Sequence, residues 1–168
     1  GTGETAADPY KTLSHDQLYA EIALGNTLVG LRLKDLRTVL GYLRGRTDLD
    51  SERFALWGDS FSPPNQGKIW VDELSRTPVS AQIQHLGSPL GAHLALLAAL
   101  YEPGIAAVAV RGGLISYLSL LENAFAYVPY DISVPEILRT GDISDICAAL
   151  APMPLLAEQF VGGQHAHA

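Results

Sequence analysis

The chain has 168 residues, a formal net charge of −7 and a hydrophobic fraction of 48%. That length suits one domain with a real core, and the acidic balance, with no basic cluster anywhere, excludes a surface built to track phosphates, so nucleic acid is not an expected partner. Cys147 is the single cysteine, which excludes an intrachain disulfide and a zinc site built from cysteines.

Residues 1–13 are polar and irregular and read as an extended lead-in. No signal segment is visible, and the chain opens at Gly1, so it is expected to be a piece of something longer whose compartment cannot be read. The longest apolar run, around Leu94–Leu100, is too short to cross a bilayer, so the chain is expected to be soluble, with no membrane partner. Ser14 followed by Gln17 is a capping-box pattern and predicts a helix from His15 to about Leu24, broken by Gly25–Asn26. A second helix is marked by Leu28, Leu31, Leu36, Val39, Leu40 and Leu43 near one face, with Gly45 placed to end it in a left-handed cap.

The stretch from Arg53 to Ser62 carries the chemistry. A strand, Phe54–Trp57, stops at Gly58, and Ser60 follows. This is the layout of a nucleophile elbow, in which a strained turn at the tip of a central strand raises one hydroxyl above the sheet. Small residues are needed on either side, because the serine takes an unfavourable backbone conformation. Gly58 meets that need, and Ser62 stands where a glycine is usual.

Beyond the elbow, Pro63–Pro64 cannot continue a helix, and residues 61–88 read as an inserted loop. A helix follows, with Pro89 at its first position and small residues that let it pack close to a sheet, running to Tyr101. Ile105–Val110 is a continuous apolar strand of the kind buried on both faces, and Arg111–Gly112–Gly113 ends it. Helices are predicted over Ile115–Leu121, Val134–Leu138 and Ile143–Leu150, with a loop at Val128–Asp131. After Ala151–Pro152–Met153–Pro154 comes a last strand, Leu155–Phe160. This alternation implies an α/β fold with a parallel sheet and crossover helices, in a single domain.

The order of these segments resembles the middle of an α/β-hydrolase, closest to the acetyl-xylan-esterase-like and dienelactone-hydrolase-like branches. The residues that carry the likeness are Gly30–Leu31–Arg32, Gly58–Asp59–Ser60, the helix Leu90–Leu100, Arg111–Gly112–Gly113 and Ala151–Pro152–Met153–Pro154–Leu155–Leu156, within roughly residues 24–163. The resemblance implies a partial three-layer sandwich, incomplete at both ends, with the elbow interrupted by the insertion. Ser88 lacks both a preceding strand and a glycine two residues before it, and is set aside as nucleophile.

On that resemblance Ser60 is the nucleophile of acyl transfer and the backbone N–H of Phe61 one oxyanion donor. A base is then required. Of the five histidines, His85, close to the resumed helix, and His165, in the tail, are the candidates; His15 reads as solvated, and His93 as a packed helix residue. His165 and His167 form a His-x-His pair without a third ligand, so no metal is expected. The acid is Asp142 or Glu158, although Asp142 is also a natural helix N-cap, Glu158 lies within a strand, and Asp131 is a further acid in the loops. Asp59 reads as a turn residue. Trp57, Trp70, Phe61, Tyr127 and Tyr130 are available to line an acyl or sugar pocket.

The first functional expectation is therefore a serine esterase acting on a small-molecule or carbohydrate ester. The alternative is a non-catalytic hydrolase-fold scaffold or interaction module without a complete triad, its exposed sheet edges pairing with a missing chain segment or another subunit. No cofactor is expected: Arg111–Gly112–Gly113 is neither a dinucleotide fingerprint nor a Walker motif.

Overall fold

The computed structural model describes residues 15–65, 88–122 and 126–166. Three strands, β1 (Phe54–Asp59), β2 (Ile105–Arg111) and β3 (Leu155–Glu158), form a parallel sheet in the order β1-β2-β3. Parallel neighbours need long crossovers. The helix α3 (Leu90–Tyr101) lies on the connection from β1 to β2, and two short helices, α4 (Ile137–Thr140) and α5 (Ile143–Ala149), lie on that from β2 to β3. The α/β class read from the sequence is the class observed. One detail changes: among the described residues β2 is the central strand, and β1, which leads to Ser60, lies at an edge.

The core sits between this sheet and α3. Ala92, Ala95, Leu96, Ala98 and Ala99 are buried on that helix, and Val108 and Val110 meet them from β2. Small side chains let the two layers close up, most of all at Gly58. A Cβ there would lie 2.2 Å from the carbonyl oxygen of Gly91, so strand and helix touch backbone to backbone.

Two helices precede β1: α1 (His15–Ala23) and α2 (Leu28–Arg44). Thr27 caps α2 by accepting from the Gly30 N–H at 2.9 Å. The helix packs on α3, with Val29 and Leu40 buried and Leu33 and Leu36 against the same cluster. That spacing is one true helical face, whereas Val39, grouped with it in the sequence reading, is exposed. Gly45 closes the helix at φ −76°, right-handed, so the predicted left-handed cap is corrected. Arg37 and Arg44 of α2 both pair with Glu102 at the end of α3, and the Arg37 guanidinium holds that carboxyl below its ordinary range.

The expectation of a strand buried on both faces is also corrected. Ile105, Val108 and Val110 are buried, but Ala106 is exposed and Ala107 and Ala109 are only half-buried. The second side of the sheet carries Ala55 and Trp57 of β1, Ala107 and Ala109 of β2 and Leu156 of β3. Trp57 is 76% exposed and Leu156 56%. The described residues thus make two layers, helices on one side of the sheet and a shallow apolar trough on the other.

Of the later helices, the predicted Ile143–Leu150 matches α5 to within a residue. The predicted Ile115–Leu121 helix shrinks to a 3-10 turn, Leu118–Leu120, because the Asp142 carboxylate takes the N–H groups of Tyr117 and Leu118 together with the Ser116 hydroxyl. Val134–Leu138 shifts to Ile137–Thr140: Pro135 disfavours helical backbone at Val134, and Glu136 is left-handed at φ 60°. The expected loop at Val128–Asp131 holds a 3-10 turn, Tyr130–Ile132. The last strand ends at Glu158, short of Phe160.

His93 is a polar residue inside this core, 2% exposed. Its ring meets Tyr117 edge-on at 5.1 Å, and Nε2 has no hydrogen-bond partner among the described residues. Burial drives its pKa down from 6.5 to about 4, against a weaker pull upward from Asp142. Above 6.5 the imidazole is neutral in both folded and unfolded chains. As pH falls toward 4, the unfolded chain takes up a proton that the folded core refuses, and about 3 kcal/mol of stability is lost. Urea denaturation at neutral and acid pH should show this loss in the native chain and a much smaller one in His93→Leu.

Candidate functional site at the strand ends

All three strands stop at the same end of the sheet, and a left-handed residue follows closely on each. These are Phe61 at φ 53° after β1, Gly112 at φ 69° after β2 and Gln159 at φ 53° after β3. Glycine adopts this backbone freely, but phenylalanine and glutamine do so at a cost of about 1 kcal/mol or more each. The three residues border one cavity of about 300 Å³, whose walls also include Asp59, Ser60, Arg111 and the Pro63–Pro64 pair. Crevices at the carboxyl ends of parallel strands are where open α/β sheets bind ligands.

Ser60 is in the wall of this cavity but is not raised above it. Its N–H continues the sheet ladder, donating to the carbonyl of Arg111 at 3.0 Å. The left-handed turn comes one residue later, at Phe61, so the expected strained serine is corrected: what the turn lifts is an aromatic ring, 88% exposed. Ser60 itself is 6% exposed, and its Oγ has under 1 Å² of accessible surface and no hydrogen-bond partner among the described residues. Gly112 closes over it; a Cβ on Gly112 would come within 2.6 Å of the serine Cβ. The Phe61 N–H, expected as an oxyanion donor, already donates to Asp59 Oδ1 at 2.9 Å. Asp59 is the turn residue foreseen for it.

Across the sheet, Asp59, Arg111 and Glu158 stand in register on neighbouring strands. Arg111 Nε is 3.5 Å from Asp59 Oδ2; the aspartate side chain is 5% exposed and the arginine 51%. Asp59 thus spends one oxygen on the Phe61 amide and directs the other at the guanidinium. Glu158, one of the two acids considered, is exposed, and its backbone carbonyl accepts from the Gly112 N–H at 3.1 Å. Beside Asp59 the helix α3 begins: Gly91 packs against the Asp59 backbone, and Pro89 supplies no capping side chain. The positive end of that helix therefore lies at this end of the sheet.

The other candidates are not assembled around Ser60. Asp142 is committed as the N-cap of α5, in a reciprocal capping box with Asp145 and with Ser116 and two loop amides on the same carboxylate. Partial burial pushes its pKa up, but the Ser116 hydroxyl and the amides of Tyr117, Ile143 and Leu118 together hold it below the ordinary carboxylate range. His165 is fully buried, left-handed at φ 55°, and its Nε2–H donates to the Pro63 carbonyl at 3.0 Å. It fastens the tail to the loop after β1, a link completed by the Asn65 N–H donating to the His165 carbonyl at 2.7 Å. Asp131 sits in the turn that packs on α2, and burial raises its pKa. His93 belongs to the core. His85, His167, Trp70 and most of the inserted loop lie outside the described residues, as does the side chain of His15. Of the aromatics, Phe61 lines the cavity, Trp57 is on the open sheet side, Tyr127 is buried and Tyr130 is exposed. Among the described residues no three of His, Cys, Asp and Glu converge as a metal site would require, and no helix is long and apolar enough to cross a membrane.

Arg111 and Gln159 were not singled out as site residues in the sequence, although Arg111 carried a signal as the one charge closing an apolar strand. Gln159 carried none; its role comes from a backbone turn that glutamine does not advertise. No family model, curated protein or solved structure matches the chain.

The strain at Phe61 is measurable. Glycine substitution ordinarily destabilises, but Phe61→Gly should leave stability unchanged or raise it by about 0.5–1 kcal/mol, because it relieves the left-handed cost while deleting a ring that buries little. Chemical denaturation of the two proteins checks this.

Proposed function

We propose that this chain is an α/β-hydrolase-like module that binds a small ligand in its strand-end crevice without using Ser60 as a nucleophile in this arrangement. One observation carries the reading: left-handed backbone just past each of the three strands, strained at Phe61 and Gln159, frames a cavity, while the hydroxyl that acyl transfer requires lies beneath its wall. A serine acts as nucleophile only with a base in hydrogen-bond reach and a free donor for the developing oxyanion. Here the Phe61 amide is engaged by Asp59, and His165 by Pro63. Among the described residues one side of the sheet is bare and its outer edges pair with no further strand, which supports the wider reading of an interaction module covered by further chain or a second copy.

The serine-esterase reading is the second one. It is favoured by the Ser60 Oγ, which borders the cavity wall and makes no hydrogen bond within the described residues, so that a local shift of the Phe61 turn would free it.

A fluorophosphonate probe and a chromogenic acetate ester separate the two. The expected result is no labelling at Ser60, by peptide mass spectrometry, and equal ester hydrolysis by the native chain and Ser60→Ala. Stoichiometric labelling at Ser60, with turnover that Ser60→Ala abolishes, would establish the esterase and overturn the module.

A further inference from the structure

We infer that the strand-end crevice recognises a small organic carboxylate, with Arg111 as its anchor; this rests on the reading above that the crevice binds a ligand. The guanidinium is held from one side only. Asp59 faces its Nε, and the two terminal nitrogens make no hydrogen bond among the described residues, while the side chain is half exposed at the cavity wall. A guanidinium fixed through Nε presents its terminal nitrogens as a planar fork, the geometry that takes a carboxylate through two parallel hydrogen bonds.

The surroundings favour that charge. Asp59 is the nearest acid, but it is buried and occupied by the Phe61 N–H and by Arg111 itself, so it orients the fork more than it repels a ligand. The uncapped start of α3 lies against the Asp59 backbone and adds positive potential at the same end of the sheet. Glu158, exposed on the neighbouring strand, is the opposing charge and weakens binding without occupying the fork. Among the described residues the rest of the wall carries no charge, being formed by Phe61, Pro63, Pro64, Val161 and Gln159, and a space of about 300 Å³ holds a ligand of one ring and a short acid chain. The ligand class is therefore a compact aryl or alkyl carboxylate.

Phenylacetate and its neutral isostere phenylacetamide are the probes, titrated into the whole chain and followed by backbone amide NMR. Phenylacetate should shift the amides of Phe61, Gly112 and Gln159 with a Kd of about 1 mM, and phenylacetamide should bind at least about tenfold more weakly. Arg111→Gln should lose about tenfold or more in phenylacetate affinity, Arg111→Lys should fall between, and Glu158→Gln should tighten binding about twofold to threefold. Equal binding of the two probes, or unchanged affinity in Arg111→Gln, would overturn the carboxylate assignment while leaving a ligand-binding crevice in place. Shifts confined to residues outside the crevice, or no binding of either probe, would overturn both.

Discussion

The contact on which the structure turns is between two backbones, that of β1 at Gly58 and that of α3 at Gly91. With no side chain on either, the helix begins against the last residues of the strand, and a methyl group at Gly58 would have to overlap a carbonyl. Because interiors are close-packed and yield little, this one contact fixes how far the helix slides along the strand. The position of Asp59 and Ser60, of the helix start, and of the loop that leaves β1 all follow from it.

From that point the order at the end of the sheet is set by hydrogen bonds that look local and act over distance. Ser60 extends the ladder by one rung to Arg111, Gly112 extends it to Glu158, and only then does each chain turn away. The carboxylate of Asp59 collects the first amide past the strand, and the tail returns through His165 and Asn65 to secure the loop that follows. Asp142 does comparable work after β2 in the chain, converting a segment with helical periodicity into a short turn by claiming its amides.

Much of the fold could be read from residue order. The strands, the crossover helices and the cap at Asp142 each have a local cause: an apolar run, a helical spacing, a polar residue at a helix start. The misreadings have causes too. Val39 falls near the apolar side of α2 on a helical wheel, but Val29, Leu33, Leu36 and Leu40 join the core cluster and Val39 is exposed, and no wheel says where a neighbour will be. The left-handed turn falls one residue later than expected, because Gly58 looks like the small residue that a strained serine needs. In the structure that glycine serves the helix contact, and the strain passes to Phe61, whose bulk gives no sign that it will tolerate a left-handed backbone. The Asp59–Arg111–Glu158 row is a product of register between strands about fifty residues apart in sequence, which single-chain patterns do not encode.

The uncovered side of the sheet has a thermodynamic corollary. Trp57, Leu156 and the alanines between them keep water on a surface that the unfolded chain cannot assemble. Whatever settles there engages the native form alone, and by mass action it shifts the melting temperature upward in proportion to the logarithm of its concentration. With such an occupant bound, the conformational stability of this polypeptide would depend on its company as well as on its sequence, and the value measured in dilute isolation would be the floor of the range.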